Sequence, residues 1–216
     1  MKLFLLLSSI FCQRRQILKS IFHFQKRILS KYSQEMIGMV LGRRYAIPTV
    51  GMRYSIVQGP RQSFRNAYSG VLRIFAMQAL SGSNLTAYED GEQIRDYVNV
   101  KDVALANVMV LEDSRTDYCS YNVGGGRRVT VNEFGNIMVE AVGKSGIAVV
   151  SNGEYRFGDT RHIISDINAI QELGWNPQNT VESSVQDYID WALNQPDFGD
   201  YSSDAMVDMR ALGTVR

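Results

Sequence analysis

At 216 residues, with 45% hydrophobic and 21% charged side chains, the chain has the make-up of a globular protein that buries one sizeable core or a little more. Its net charge of +1 gives no overall pull toward nucleic acid or anionic lipid. Two cysteines and two histidines (Cys12, Cys119, His23, His162) provide neither a disulfide framework nor a zinc-ligand spacing, so no metal is expected and a reducing, cytoplasmic setting is.

Residues 1–29 read as a segment apart. Positions 1–34 contain no Asp or Glu but carry Lys2, Arg14, Arg15, Lys19, Lys26, Arg27 and Lys31. Met1–Cys12 has the outline of a secretory signal, a lysine before an apolar run. No small-x-small cleavage site follows, and the run is too short to span a bilayer. A basic apolar helix on a membrane, or laid over an exposed apolar surface, is the other reading.

From Ser30 to Pro60 the pattern predicts a helix, a short break, a strand and a sharp turn. Tyr32, Met36 and Val40 share one helical face, with Ile37 and Leu41 beside it. Gly38 and Gly42, four apart, imply that another backbone comes close. Ile47–Val57 reads as a strand ended by Gly59-Pro60. A helix feeding a strand through a short link is half of a parallel α/β unit.

Further along, Tyr68–Leu80 reads as a helix, Leu85–Tyr88 as a strand, and Ile94–Val100 as another. Asp102 is placed as the cap of a helix running to Leu111. Tyr118–Val123 is a strand followed by Gly124-Gly125-Gly126. These glycines open no Gly-x-Gly-x-x-Gly helix and read as a flexible turn. Thr130 and Glu133 form a capping box for a helix to about Val142. Ile147–Val150 is a strand, Ser165-Asp166 caps a helix ending at Gly174, and Val181–Leu193 is the last helix. Residues 195–216 read as a loose tail.

Several of these stretches resemble one family in order and spacing. Ser30-Lys31-Tyr32-Ser33 with its helix, Met52-Arg53-Tyr54 and Gly59-Pro60 resemble the second half of the extended short-chain dehydrogenase/reductases, which include nucleotide-sugar epimerases and dehydratases. The segment Tyr88–Asp102, containing Arg95-Asp96-Tyr97-Val98, and the segment Tyr155-Arg156-Phe157-Gly158-Asp159 resemble two further stretches. Asn122 with its glycines and Leu173-Gly174-Trp175 extend the likeness, which covers roughly residues 30–194.

The resemblance implies an α/β fold: the C-terminal portion of a Rossmann-like parallel sheet plus a small α/β substrate-binding lobe. It implies NAD as cofactor and a UDP- or dTDP-sugar as substrate. Lys31 matches the lysine of the catalytic Tyr-x-x-x-Lys pair, four residues apart so that the ammonium lowers the phenol pKa. Arg27 stands at the tyrosine position, and an arginine cannot act as base near neutral pH. Arg95 and Arg156 match arginines that grip the diphosphate, and Asp159 an aspartate that reaches a ribose. Tyr88 falls in the substrate segment, and Tyr54 is assigned to the border of the nicotinamide.

Where relatives carry an Arg-Tyr-Phe-Asn strand with a phosphate-contacting asparagine, this chain has Ser55 and Ile56. Asn66 is the substitute amide. The glycine-rich nucleotide loop and the catalytic Ser/Thr are not found before Ser30. The expectation is therefore an N-terminally incomplete epimerase/dehydratase with impaired catalysis. The alternatives are a non-catalytic sugar-nucleotide-binding remnant and a membrane-attached protein using residues 1–29. A homodimer through the helix after Ser30 is the protein partner implied.

Overall fold

A computed structural model describes the backbone of residues 3–8, 18–64, 70–155 and 159–196, with side chains from residue 29 onward. Residues 65–69, 156–158 and 197–216 lie outside it, and with them Asn66, Arg156 and nearly all of the expected tail. The chain divides into two compact units, each assembled from three separate stretches.

The first unit comprises residues 1–57, 96–127 and 163–178. Its sheet is β1 (Leu3–Ser8), β2 (Thr49–Tyr54) and β7 (Ser120–Val123), in the order β1-β2-β7 and parallel throughout. The apolar run at the start of the chain is thus a strand, in register with β2 from Leu3↔Thr49 to Ser8↔Tyr54. This corrects the readings of that run as a signal-like segment or a covering helix. Six residues, five of them apolar, satisfy their backbone groups more completely on the edge of β2 than as an isolated helical turn and a half. Among the described residues no helix is long and apolar enough to cross a membrane.

Helix α1 (Leu18–Arg44) leads into β2 and starts well before Ser30. It packs on the sheet by Glu35, Gly38, Met39 and Gly42, all buried. A side chain at Gly42 would overlap the Thr49 hydroxyl and the Ile47 carbonyl, which is the close backbone approach expected there. The apolar stripe Tyr32, Met36, Ile37, Val40 and Leu41 is the opposite, exposed face.

The expected strand over 47–57 breaks at Ser55 into β2 and β3 (Ile56–Gln58). The one over 94–100 breaks at Asp96 into β5 (Ile94–Arg95) and β6 (Tyr97–Asn99). Strand β3 pairs with β6. Helix α3 (Val100–Glu112) is capped by Asn99, whose side chain accepts from Lys101 N. Asp102, expected as the cap, is buried in the first turn and accepts from Gln178 N at 3.0 Å. Helix α5 (Asn168–Gln171) is one turn long and begins after Ile167; Asp166 accepts from Asn168 N. Val50, Met52, Val98, Ala106, Val123 and Trp175 are among the residues that fill the core of this unit.

The second unit comprises residues 58–95, 128–162 and 179–216. Helix α2 (Val71–Leu80), strand β4 (Leu85–Ala87) parallel to β9 (Val149–Ser151), and strand β5 antiparallel to β8 (Val129–Thr130) frame it. Helix α4 (Val131–Val142) carries the full capping box of Thr130 and Glu133, and ends on Gly143 in the left-handed conformation that glycine adopts without strain. Helix α6 (Val181–Leu193) is capped by Thr180. Phe75, Phe134, Met138, Val185 and Tyr188 are buried among these helices.

Candidate functional site

In the second unit, strand β5 delivers Arg95, paired across the ladder with Val129. Its Nη1 donates to the carbonyls of Ile94 (3.0 Å) and Arg161 (2.7 Å), which fixes the plane of the guanidinium. Its Nη2 faces the Asp159 carboxylate across 3.9 Å, outside hydrogen-bond range. The Arg95 side chain is 14% exposed and that of Asp159 is 49% exposed.

The segment after Asp159 is tied to the loop before β5. Arg161 donates to Glu89 (2.8 Å) and Asp90 (2.6 Å), and its guanidinium holds the exposed Asp90 carboxyl below the usual range. Ile94 N donates to His162 Nδ1 at 3.3 Å. The Tyr88 carbonyl accepts from Gln93 Nε2 at 2.7 Å, which closes the same loop from within. Arg95, Asp159 and Tyr88, chosen from separate stretches of sequence, therefore belong to one unit. The residues that lock them, Glu89, Asp90 and Arg161, left no signal beyond the acidic turn.

In the first unit, the C-terminal ends of β2 and β7 carry a second polar cluster. The Asp96 carboxylate is buried and accepts from three donors: Ser55 Oγ (2.7 Å), Gly125 N (2.8 Å) and Ser165 N (3.1 Å). A side chain at Gly124 would overlap this carboxylate, and one at Gly125 the Tyr97 carbonyl. Gly124 and Gly125 are therefore a close-approach turn around Asp96 and Tyr97, not a flexible loop. Asn122, on β7, donates to the Asp166 carbonyl at 2.9 Å. Tyr54 donates to Asn107 Oδ1 at 2.6 Å. Burial pushes its hydroxyl pKa up, and the Asn107 bond pulls it partly back. Lys31 donates from Nζ to Gln34 Oε1 at 3.1 Å on the same helix.

A third cluster ties α1 to the sheet. Glu35 accepts from Arg53 at 2.6 and 2.9 Å and from Ser120 Oγ at 2.9 Å. The Arg53 bond holds its carboxyl below the ordinary range against the opposing effect of burial. Among the described residues no group of His, Cys, Asp or Glu is arranged to hold a metal ion.

The glycine turn also tests the fit of NAD. Its Gly125 N–H is committed to a carboxylate, so a cofactor phosphate placed there would meet an anion. The 216 residues contain no Gly-x-x-Gly-x-x-Gly run elsewhere. A glycine loop for the dinucleotide phosphates is thus not found among the described residues, and no step through the cofactor is derived for this chain.

Residues 28–124 match the model of a family described as NAD dependent epimerase/dehydratase. A putative UDP-glucose 4-epimerase of Methanocaldococcus jannaschii is 33% identical over 77% of this chain and 52% of its own length. The crystal structure of the UDP-glucose 4-epimerase of Thermotoga maritima with UDP-glucose is similar at a TM-score of 0.69 and 34% identity, over 76% of this chain and 52% of that one. The Thermus thermophilus UDP-glucose 4-epimerase in complex with NAD gives 0.68 and 26%, over 87% and 63%. The chain spans about half the length of the curated relatives it matches.

Proposed function

Starting from a chain that belongs to the NAD-dependent epimerase/dehydratase family, we infer that its second unit binds the diphosphate of a UDP- or dTDP-sugar through Arg95. The observation that carries this is the state of that guanidinium. Two backbone carbonyls orient it, it is mostly shielded from water, and among the described residues its Nη2 edge has a long pairing with an exposed carboxylate. A cation already held in place loses little freedom when a phosphate arrives, and a guanidinium offers the paired donors that phosphate oxygens accept. Arg156 is the second cation of the clamp, and Asp159 the ribose contact. Tyr88 lines the same site, and Asn66 supplies an amide from the preceding loop.

Lys31 is the residue through which the family's base is tuned, and in this chain Arg27 holds the base position. With a guanidinium in place of the phenol, proton abstraction from a sugar hydroxyl has no base at position 27. The chain therefore binds nucleotide sugar with impaired turnover.

Titration with UDP-glucose and dTDP-glucose, read by tryptophan fluorescence, is expected to saturate. NAD-supplemented turnover is expected to stay near background. A folded chain with no saturable signal would refute the binding reading. Turnover on the order of 1 s⁻¹ or faster, the ordinary range for enzymes, would refute impairment.

The exposed stripe of α1, with Leu105, Val108 and Leu111 exposed on α3 of the same unit, supports pairing with a second copy of the chain. Light scattering should give twice the mass of one chain, and a single-chain mass would remove this partner.

A further inference from the structure

The two carbonyls that orient Arg95 differ in origin. That of Ile94 lies on its own strand, whereas that of Arg161 comes from 66 residues further along the chain. The Arg161 carbonyl is kept in place by the side chain of the same residue. Its Nη1 donates to Glu89 Oε2 at 2.8 Å and its Nη2 to Asp90 Oδ2 at 2.6 Å. The bond from Ile94 N to His162 Nδ1 is a second tie. The turn that offers the two carboxylates is itself anchored. Glu89 N donates to the Glu154 carbonyl, Glu92 N to Asp90 Oδ1, and Asn132 Nδ2 to the Asp90 carbonyl. Glu89 takes a left-handed backbone conformation (φ 53°), uncommon for a residue with a side chain. Stability alone does not account for this arrangement. The side chains of Arg161, Glu89 and Asp90 are 46%, 33% and 53% exposed, and ion pairs that wet add little to a fold. Two like charges are also set side by side on a strained turn, a feature that points to function.

We propose that Arg161 is a positioning residue for the diphosphate contact: gripped by Glu89 and Asp90, it presents its own carbonyl to Arg95 and so aligns that guanidinium before the ligand arrives. This rests on the reading of Arg95 as the diphosphate ligand and adds what sets its orientation. Arg161 itself touches no phosphate in this scheme. Its guanidinium already meets two carboxylates, and the part that serves the site is its backbone oxygen. An aligned Arg95 loses less freedom on binding than one that must first be ordered. The planar fork of arginine suits the task, since it spans two carboxylates in one fixed geometry, which a lysine ammonium does not. The sign of the charge effect separates this role from plain electrostatics. Glu89 and Asp90 are anions tied to the segment that orients an anion-binding arginine. By Coulomb's law alone, neutralising them should tighten phosphate binding. If their part is to hold Arg161, neutralising them should weaken it.

The test titrates UDP, which carries the diphosphate without the sugar, into the unsubstituted chain, Arg161→Lys, the double variant Glu89→Gln/Asp90→Asn, and Arg95→Ala. The first two changes are also each combined with Arg95→Ala. Arg161→Lys and the double variant are each expected to bind UDP about threefold to tenfold more weakly, the effect of having to order one long side chain on binding. In the Arg95→Ala background they should cost no further affinity, because no guanidinium is left to align. Unchanged affinity in Arg161→Lys, or tighter binding in the double variant, overturns the proposal in favour of charge alone. A loss of the same size with Arg95 already removed overturns it as well, because the turn then shapes the site without acting through Arg95. If Arg95→Ala is impaired and the other variants are not, the diphosphate reading stands and only the positioning role is lost. If the unsubstituted chain binds no UDP, or Arg95→Ala binds it equally well, the diphosphate reading has failed first and this proposal falls with it.

Discussion

Three buried carboxylates of the first unit contrast with two polar side chains of the second. In the first, Glu35, Asp96 and Asp102 are carboxylates with almost no exposure, and the acceptor atoms described above meet donors from distant parts of the chain. In the second, Gln58 has two heteroatoms without a partner among the described residues, and Arg95 has an Nη2 edge held just outside hydrogen-bond range of Asp159. Matched groups of the first kind hold strands, turns and helices in place. Unmatched ones raise the energy of the ligand-free state. Those first-unit carboxylates are architecture, and recognition is the role proposed for Arg95 in the second unit.

The most severe way to test that division is at Asp96. Replacing it by Ala removes the acceptor for Ser55 Oγ, Gly125 N and Ser165 N together, and leaves two half-buried backbone donors unmatched. A loss of about 3–5 kcal/mol in denaturant unfolding is expected, with Asp96→Asn intermediate because an amide keeps one acceptor. Gly125→Ala should fall in the same range, since the new methyl would meet the Tyr97 carbonyl, a backbone atom with no room to move. A change under about 1 kcal/mol for either variant would mean the turn is looser than its geometry indicates. It would also reopen the glycine run as a ligand loop.

Local signals made much of this molecule readable from sequence. The capping box of Thr130 and Glu133 and the helix over Val181–Leu193 are set by contacts within one turn of chain, and both appear where the pattern put them. What escaped was set at a distance. The short apolar run at the start of the chain carries no mark that separates a strand from a signal-like segment, and only pairing with β2 decides it. The face by which α1 packs could not be read either. The side with the apolar period is exposed, while the side holding an acid, two glycines and one methionine is buried. The pairing that allows this joins Glu35 to Arg53 and Ser120 across 18 and 85 residues of chain. At the candidate site, Arg95, Asp159 and Tyr88 were visible as motif residues. Asp96 was quoted in the same motif but given no role, because a buried carboxylate and an exposed one look alike in sequence.

The smallest expected effect, at Glu35, asks whether an architectural carboxylate shows its character through pH. Its pKa is held down chiefly by the Arg53 hydrogen bond, with Ser120 adding to this and burial opposing it. A carboxyl depressed in the folded state binds its proton more readily in the unfolded one. The stability it contributes is therefore fully present above the unfolded value, about pH 4.3, and is lost as pH falls through the lower folded value. Glu35→Gln removes the charge but keeps an acceptor for one Arg53 donor, and Arg53, with 40% of its side chain exposed, turns to water. At pH 7 the variant should lose about 1–2 kcal/mol, the lower end for a charge-assisted pair with one wet partner. As pH falls below the unfolded value and then through the lower folded one, the two proteins should converge, since the unsubstituted chain then protonates the same group. Curves that stay parallel down to acid pH would show that Glu35 acts through packing and that its charge contributes nothing, and α1 would then be held by Met39 and the glycine approach alone.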